Sequence, residues 1–315
     1  MARETAASDA RDIAAAVEVL RGGGLVLMPT ETVYGLAADA RNPKAVAALY
    51  AAKGRPSFNP LIAHVADLAT ARKLARFDHR AEQLAQRFWP GPLTLVAPVL
   101  DRFAVCDLAR AGLETVAVRA PAHPVAQRLL HAFGGVLVAP SANRSGRPSP
   151  TTLADAIEET GDFAGAALEG GACTIGVESS VVGLLDAALW LRAGGLPRAE
   201  IEALIGPLQE AGADAKRTPG RLALHYAPNA PVRLDARAPR PGEAFLSFGE
   251  GPETEPLRFS LSEAGDVVEA AQRLFAALRA ADRLNPIAIA VAPIPTTGLG
   301  EAINDRLRRA AGHIG

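Results

Sequence analysis

Ile13, Val17 and Leu20 recur at helical spacing, and Gly22, Gly23 and Gly24 end that helix. The apolar run LVLM from Leu25 reads as a buried strand that opens into the polar turn PTETVYG. A helix follows around Val46, Leu49 and Tyr50 and ends near Lys53. Short β-rich runs then alternate with helical stretches: LIAHV from Leu61, LTLVAPV from Leu93, TVAVRA from Thr115 and VLVAP from Val136. SVVGLL from Ser180 and LWLRA from Leu189 read as a late hairpin-type pair. Strands interleaved with helices predict an α/β domain with a mixed sheet over residues 1–205. Residues 206–231 are rich in Gly, Ala and Pro, the composition of a linker. In 232–315, VRLDA, AFLSF, LRFSL and IAIAVAP read as strands, with helices over 267–281 and near Leu307. That block predicts a smaller α/β domain with a parallel sheet.

Length agrees with two domains, since 315 residues exceed the roughly 100–200 of a usual one. With 49% hydrophobic and 21% charged residues, the chain can bury a core and is not a disordered polymer. The 33 Lys and Arg against 34 Asp and Glu leave no basic surplus for nonspecific nucleic-acid binding, though a local basic pocket fits that balance. Cys106 and Cys173 are the only cysteines and lack metal-ligand spacing, against a disulfide framework and against a structural zinc site. The first residues mix acids and bases without a continuous apolar stretch, so no signal peptide is expected. No run approaches the about 18 apolar residues of a membrane span, and a cytoplasmic setting is expected.

Polar residues cluster where apolar strands end, the usual place for sites in α/β folds. Thr30-Glu31-Thr32, Lys53 with Arg55, Ser141 with Asn143, and Glu178-Ser179-Ser180 occupy such places. Together they supply cations, hydroxyls and amides suited to phosphates and carboxylates, with Arg as a planar clamp and Lys as a point charge. Singly, each has a plainer reading. The threonines also read as turn caps, and Lys53 and Arg55 as a solvated helix end. Ser141 and Asn143 also suit an N-cap, and His64 a satisfied core histidine. No P-loop, no G-x-G-x-x-G after a strand and no G-x-S-x-G elbow occurs.

Read in order, the segments resemble the threonylcarbamoyl-AMP synthase family, the YrdC-type proteins. The matching stretches are PTETVYGLA (29–37), AKGRPSFNPLIAHV (52–65), WPGPLTLV (89–96), TVAVRAPAHP (115–124), APSANRSGRPSPT (139–151), GVESSVV (176–182) and LRAGG (191–195). The tail resembles the family's long form, which adds a linker and a small Rossmann-like domain. Its linker motif corresponds to Thr218-Pro219-Gly220 and His225-Tyr226-Ala227-Pro228. Arg221 stands where the family commonly has Met, and Leu224 where a polar residue is usual.

This resemblance implies a twisted mixed-sheet YrdC-like catalytic domain (1–205), a linker that doubles as a lid (206–231) and a Rossmann-like C-terminal domain (232–315). It implies formation of threonylcarbamoyl-AMP and pyrophosphate from L-threonine, bicarbonate and ATP, for modification of tRNA. Lys53 and Arg55 would be catalytic. Thr32, His64, Ser179 and Arg119 would hold L-threonine. Lys53, Arg55, Asn59, Thr115, Ala139, Ser141, Asn143, Ser149, Arg192 and Tyr226 would line the ATP site. Magnesium would be held mainly by ATP phosphates, with no metal site of the protein's own. A tRNA threonylcarbamoyl transferase complex would receive the product, a weak direct tRNA contact being left open and no membrane involved. Two rivals carry different expectations. An RNA-binding module predicts a basic chain rich in exposed aromatics, whereas this chain is neutral and 5% aromatic. A hydrolase at Ser141 or Ser179 needs a paired His and an acid, a trio the sequence does not display.

Overall fold

Asp9 caps the first helix, α1 (Ala10–Arg21), and Asp12 returns the bond by accepting from Asp9 N at 2.9 Å. The computed structural model describes residues 9–212, 226–250 and 257–312. Ile13, Ala16, Val17 and Leu20 form the buried face of α1, as their spacing predicts. The chain continues through β1 (Val26–Met28), β2 (Gly35–Asp39), α2 (Pro43–Lys53) and β3 (Ile62–His64). Next come α3 (Leu68–Leu74), α4 (His79–Phe88), β4 (Leu93–Pro98), α5 (Asp107–Arg110), β5 (Thr115–Arg119) and α6 (Pro124–Phe133). The domain closes with β6 (Leu137–Val138), α7 (Leu153–Thr160), β7 (Ala166–Ala167), β8 (Ser180–Leu184), β9 (Ala188–Arg192), α8 (Arg198–Ile205) and β10 (Gln209–Glu210).

These strands form one ten-stranded mixed sheet in the order β10-β9-β8-β4-β5-β3-β6-β2-β1-β7. β4 runs parallel to β8 and antiparallel to β5, while β8 and β9 make the expected antiparallel pair. β2 and β8 are buried along their whole length, which explains runs that are apolar throughout rather than alternating. Helices α1 and α6 cover part of the sheet with Val17, Leu20, Leu129 and Leu130. β10 lies within the segment read as linker and pairs with β9. The linker motif residues Thr218, Pro219, Gly220, Arg221, Leu224 and His225 lie outside the described residues, so the lid expectation meets the structure only at Tyr226 and beyond.

The second sheet is parallel throughout, in the order β11-β14-β12-β13, from β11 (Val232–Arg233), β12 (Glu243–Phe248), β13 (Arg258–Ser262) and β14 (Ala288–Val291). Helices α9 (Val267–Arg283) and α10 (Leu299–Ala310) accompany it. One apolar cluster runs across both domains, joining Leu84, Leu95 and Trp190 to Phe275, Leu278, Ile303 and Leu307. Contact is close at Gly176, where a Cβ would lie 2.3 Å from Ala271 O, and φ is +79°. Arg279 donates to Glu159 at 3.0 Å and Arg283 to Asp155 at 2.7 Å, adding buried and half-buried ion pairs to that apolar seam. No helix among the described residues is long and apolar enough to cross a membrane.

Candidate active site

Asn42 caps α2, Pro43 opens it, and Gly54 closes it in the left-handed region at φ 58°. That closure puts Lys53 on the last turn and turns Arg55 toward the sheet. His64 ends β3, Arg119 ends β5 and Arg192 ends β9, while Ser179 immediately precedes β8. Thr32 lies in the turn between β1 and β2. After β6, Leu36 N donates to Pro140 O at 2.9 Å and Ala142 N to Tyr34 O at 2.8 Å, holding Ser141 beside β2. The fold thus gathers strand ends from distant parts of the sequence around one narrow cleft.

Of the sequence-predicted residues, Thr32, Arg55, His64, Arg119, Ala139, Ser141, Ser179, Arg192 and Tyr226 line this cleft, which holds a cavity of about 60 Å³. Lys53, Asn59, Thr115, Asn143 and Ser149 are not among the residues that line it. Thr115 is half-buried at the start of β5, opposite Pro98. Lys53 is buried, not a solvated helix end, and its Nζ donates to Ser141 O at 2.5 Å and to Asn143 O. Burial, and then the charge of Arg55, hold the Lys53 ammonium well below its ordinary range. Its visible task is to fasten the loop that carries Ser141 and Asn143.

Arg55 makes long bonds, 3.4 Å to Asn59 O and 3.3 Å to Pro60 O, and also interacts with the Tyr50 hydroxyl. Burial, with Arg192 close by, brings its pKa down to about 10. Neither Arg55 nor Arg192 makes an ion pair among the described residues, so both leave positive charge facing the cleft. Arg192 is anchored to Ser179, donating to its carbonyl at 2.8 Å and 3.1 Å and to its Oγ at 3.2 Å. This anchoring needs Gly194, where a Cβ would lie 2.3 Å from Ser180 N. Ser179 Oγ also shares a hydrogen bond with Thr94 Oγ1 at 2.7 Å.

Arg119 donates to Thr32 Oγ1 at 2.9 Å and to Glu31 Oε1 at 2.6 Å. Thr32 shares a 2.8 Å bond with Thr30, whose Oγ1 donates to Val33 O at 2.6 Å. The turn-cap reading of Thr30 therefore holds, while Thr32 belongs to the cleft. His64 Nδ1 donates to Ile62 O at 3.0 Å, because a carbonyl can only accept, which leaves Nε2 as an acceptor. Burial, and then the Arg119 charge, push its pKa down to about 3. His64 is thus a buried, hydrogen-bonded histidine, as the core reading expects, and it also lines the cleft.

Several buried polar atoms on residues next to the cleft lining have no hydrogen-bond partner among the described residues: both side-chain ends of Asn59, Asn143 Oδ1 and Glu31 Oε2. An unmatched buried polar group costs about 1–3 kcal/mol, and such groups collect where a ligand supplies the partner. Sequence reasoning singled out Glu178 only as part of a polar triplet. The structure lines the cleft with it and bonds it to Ser149 Oγ at 2.5 Å and to Arg306 Nε at 2.9 Å. Arg306 was missed altogether, because it sits in a helix whose neighbours Arg308 and Arg309 give the segment the look of a solvated basic face. Chemically, the cleft can hold a polyanion with guanidinium groups and orient a small polar molecule with hydroxyls and a neutral imidazole.

Comparison with known proteins places this geometry. A family model described as telomere recombination, covering the Sua5, YciO and YrdC proteins, matches residues 18–194. A second, described as the C-terminal domain of threonylcarbamoyl-AMP synthase, matches residues 196–312. The threonylcarbamoyl-AMP synthase of Pyrococcus abyssi is 40% identical over 318 residues, covering 93% of this chain and 92% of that one. The Bacillus subtilis protein of the same name is 38% identical, covering 95% and 93%. The crystal structure of P. abyssi Sua5 complexed with L-threonine superposes with a TM-score of 0.88 at 38% identity, covering 96% of this chain and 94% of that one.

Proposed function

The chain belongs to the threonylcarbamoyl-AMP synthase family and is an enzyme, and on that premise we propose that it is an L-threonylcarbamoyladenylate synthase, a nucleotidyltransferase. It joins L-threonine, bicarbonate and ATP into threonylcarbamoyl-AMP and pyrophosphate, for threonylcarbamoyladenosine modification of tRNA. The observation that carries this reading is the convergence of Arg55, Arg119 and Arg192 with Thr32, His64, Ser141 and Ser179 on one cleft. Threonine's amine takes up the carboxyl carbon of bicarbonate with loss of water. A carbamate oxygen then forms a bond to the α-phosphorus of ATP as the bond to pyrophosphate breaks. ATP, bicarbonate and the threonine carboxylate all bring negative charge, so fixed cations stabilise the charge that gathers in the transition state.

In this reading Arg119, oriented by Glu31, takes the threonine carboxylate. Thr32, Ser179 and the neutral His64 orient its amine and hydroxyl. Arg55 and Arg192 take phosphate oxygens, and Lys53 acts one step back by fixing the loop of Ser141 and Asn143. Asn59, Asn143 and Ser149 complete the nucleotide end, with Tyr226 as its outer wall. Among the described residues Glu178 is the one carboxylate lining the cleft, and both its oxygens are engaged. Among the described residues no cluster of His, Cys, Asp or Glu is fit to hold a metal ion. In this reading magnesium enters as MgATP, part of the substrate, and offsets phosphate charge. The enzyme would work in the cytoplasm and hand its product to a tRNA threonylcarbamoyl transferase complex.

The test is pyrophosphate release by the purified protein with MgATP, with and without threonine and with bicarbonate depleted. Release that needs both, with threonylcarbamoyl-AMP detected by mass spectrometry, is the expected result. Equal release without threonine would overturn the reading in favour of a general pyrophosphohydrolase.

A further inference from the structure

A carboxylate is an awkward lining for a cleft that takes polyanions, and Glu178 lines this one. Its charge is met from the other domain. Arg306, on α10, is fully buried, and its Nε donates to Glu178 Oε2 at 2.9 Å. Its Nη1 donates to Ala193 O at 2.7 Å and Asp305 Oδ2 at 2.8 Å, and its guanidinium stands 5.3 Å from the centre of the Tyr226 ring. The other Glu178 oxygen accepts the proton of Ser149 Oγ at 2.5 Å. Against burial, which pushes it up, the charges of Arg306 and Arg192 hold Glu178 ionised, with its pKa down at about 2. An interface that needed only cohesion would be served as well or better by apolar residues in place of this pair.

We propose that Arg306 is a positioning residue for the nucleotide: it neutralises Glu178 and fixes its carboxylate, so that the cleft accepts ATP phosphates and Ser149 keeps one orientation. The C-terminal domain thereby completes the electrostatics of the catalytic domain. The same domain grips the loop before Ser149, where Arg279 donates to Pro148 O, and Ala227 N, on the approach to that domain, donates to Gly146 O at 2.7 Å. This inference rests on the adenylation reading, under which the cleft holds ATP.

The experiment compares ATP and threonine KM values for wild type, Arg306→Met, Arg306→Lys and the double variant Arg306→Met with Glu178→Gln. Wild-type pyrophosphate release in the same assay reports on the adenylation reading, so its failure is separate from that of Arg306. With the cation gone and the carboxylate left, ATP KM should rise about tenfold or more, a change of about 1.4 kcal/mol, with threonine KM little changed. Arg306→Lys should recover part of the loss. The double variant, which removes both charges, should bring ATP KM back below that of Arg306→Met, which mere loss of packing would not do. A folded Arg306→Met with wild-type ATP KM overturns the proposal. So does a double variant whose ATP KM stays as high as that of Arg306→Met. If the single variant does not fold, the double variant decides: a rise in ATP KM smaller than that expected of Arg306→Met supports the proposal, and a rise as large or failure to fold overturns it.

Discussion

Arg119 at the end of β5 donates to Glu31 Oε1 at 2.6 Å, with both side chains buried. The carboxylate orients a guanidinium that would otherwise carry bare charge in the interior, and it does so from the turn that also supplies Thr32. Breaking a buried pair from one side strands the remaining charge.

Glu31→Ala is therefore expected to lower unfolding free energy by about 3–5 kcal/mol. Glu31→Gln, which can still accept from Arg119, should lose less while weakening threonine binding. Urea unfolding and calorimetric titration with threonine check both. Unchanged stability in Glu31→Ala would mean that Arg119 is held by Thr32 and Gly91 O alone.

Lys53 and Arg55 should separate. Lys53→Met removes the donor shared by Ser141 O and Asn143 O, so stability should fall by about 1–3 kcal/mol together with activity. Arg55, with long bonds to carbonyls and a contact to Tyr50, carries less structural duty than Lys53. Arg55→Gln should keep its melting temperature and lose turnover by about 10²–10³ if it stabilises phosphate charge. Paired thermal melts and pyrophosphate assays would reverse the assignment if Lys53→Met melted normally and Arg55→Gln turned over normally.

These two residues also show what the sequence could reveal. A Pro-opened, Gly-closed helix is written in Asn42, Pro43 and Gly54, so its end at Lys53 was legible. That the ammonium is buried on two carbonyls was not, because its partners lie 88 and 90 positions away. The apolar strands β4, β5 and β8 were equally plain, being buried on both faces. β2 was not read beyond its turn, since GLAAD has little β preference and is held by its neighbours β1 and β6 instead. Of the residues named through family resemblance, Thr32, Arg55, His64, Arg119, Ala139, Ser141, Ser179, Arg192 and Tyr226 line the cleft, while Lys53, Asn59, Thr115, Asn143 and Ser149 do not. Arg306 was not legible, because it is a single arginine on the buried face of α10 beside Ile303 and Leu307, and only the docking of that helix brings it to Glu178.

His64 provides a pH signature. The unfolded chain takes up its proton near pH 6.5, whereas the folded protein does so only at about 3. Between those values protons favour the unfolded state, so stability present above 6.5 is lost as pH falls toward 3. The slope for this one group is at most about 1.4 kcal/mol per pH unit. His64→Gln should flatten that part of the stability curve in urea unfolding between pH 6.5 and 4. Parallel curves for the two proteins would show that the ring is protonated alike in both states.

Tyr226 stands on both sides of the question of how a nucleotide enters. Its ring lines the cleft, yet it is buried against Phe275 of α9, with ring centres 5.4 Å apart, and under Arg306. The cavity between these walls is about 60 Å³, and the Tyr226 ring bounds it on the side of the second domain. Tyr226 is the wall residue that lies within the linker segment 206–231, and its φ of 63° marks a backbone held in the left-handed region. Tyr226→Ala confounds the test, because deleting a buried aromatic costs about 3–5 kcal/mol by itself. Tyr226→Phe keeps the ring and its packing and removes only the hydroxyl. It should melt within about 1 kcal/mol of wild type and bind ATP more weakly, with threonine binding unchanged. Equal ATP affinity in a stable Tyr226→Phe, measured by calorimetry, would leave the ring as a docking anchor between linker and α9 with no part in holding the nucleotide through its hydroxyl.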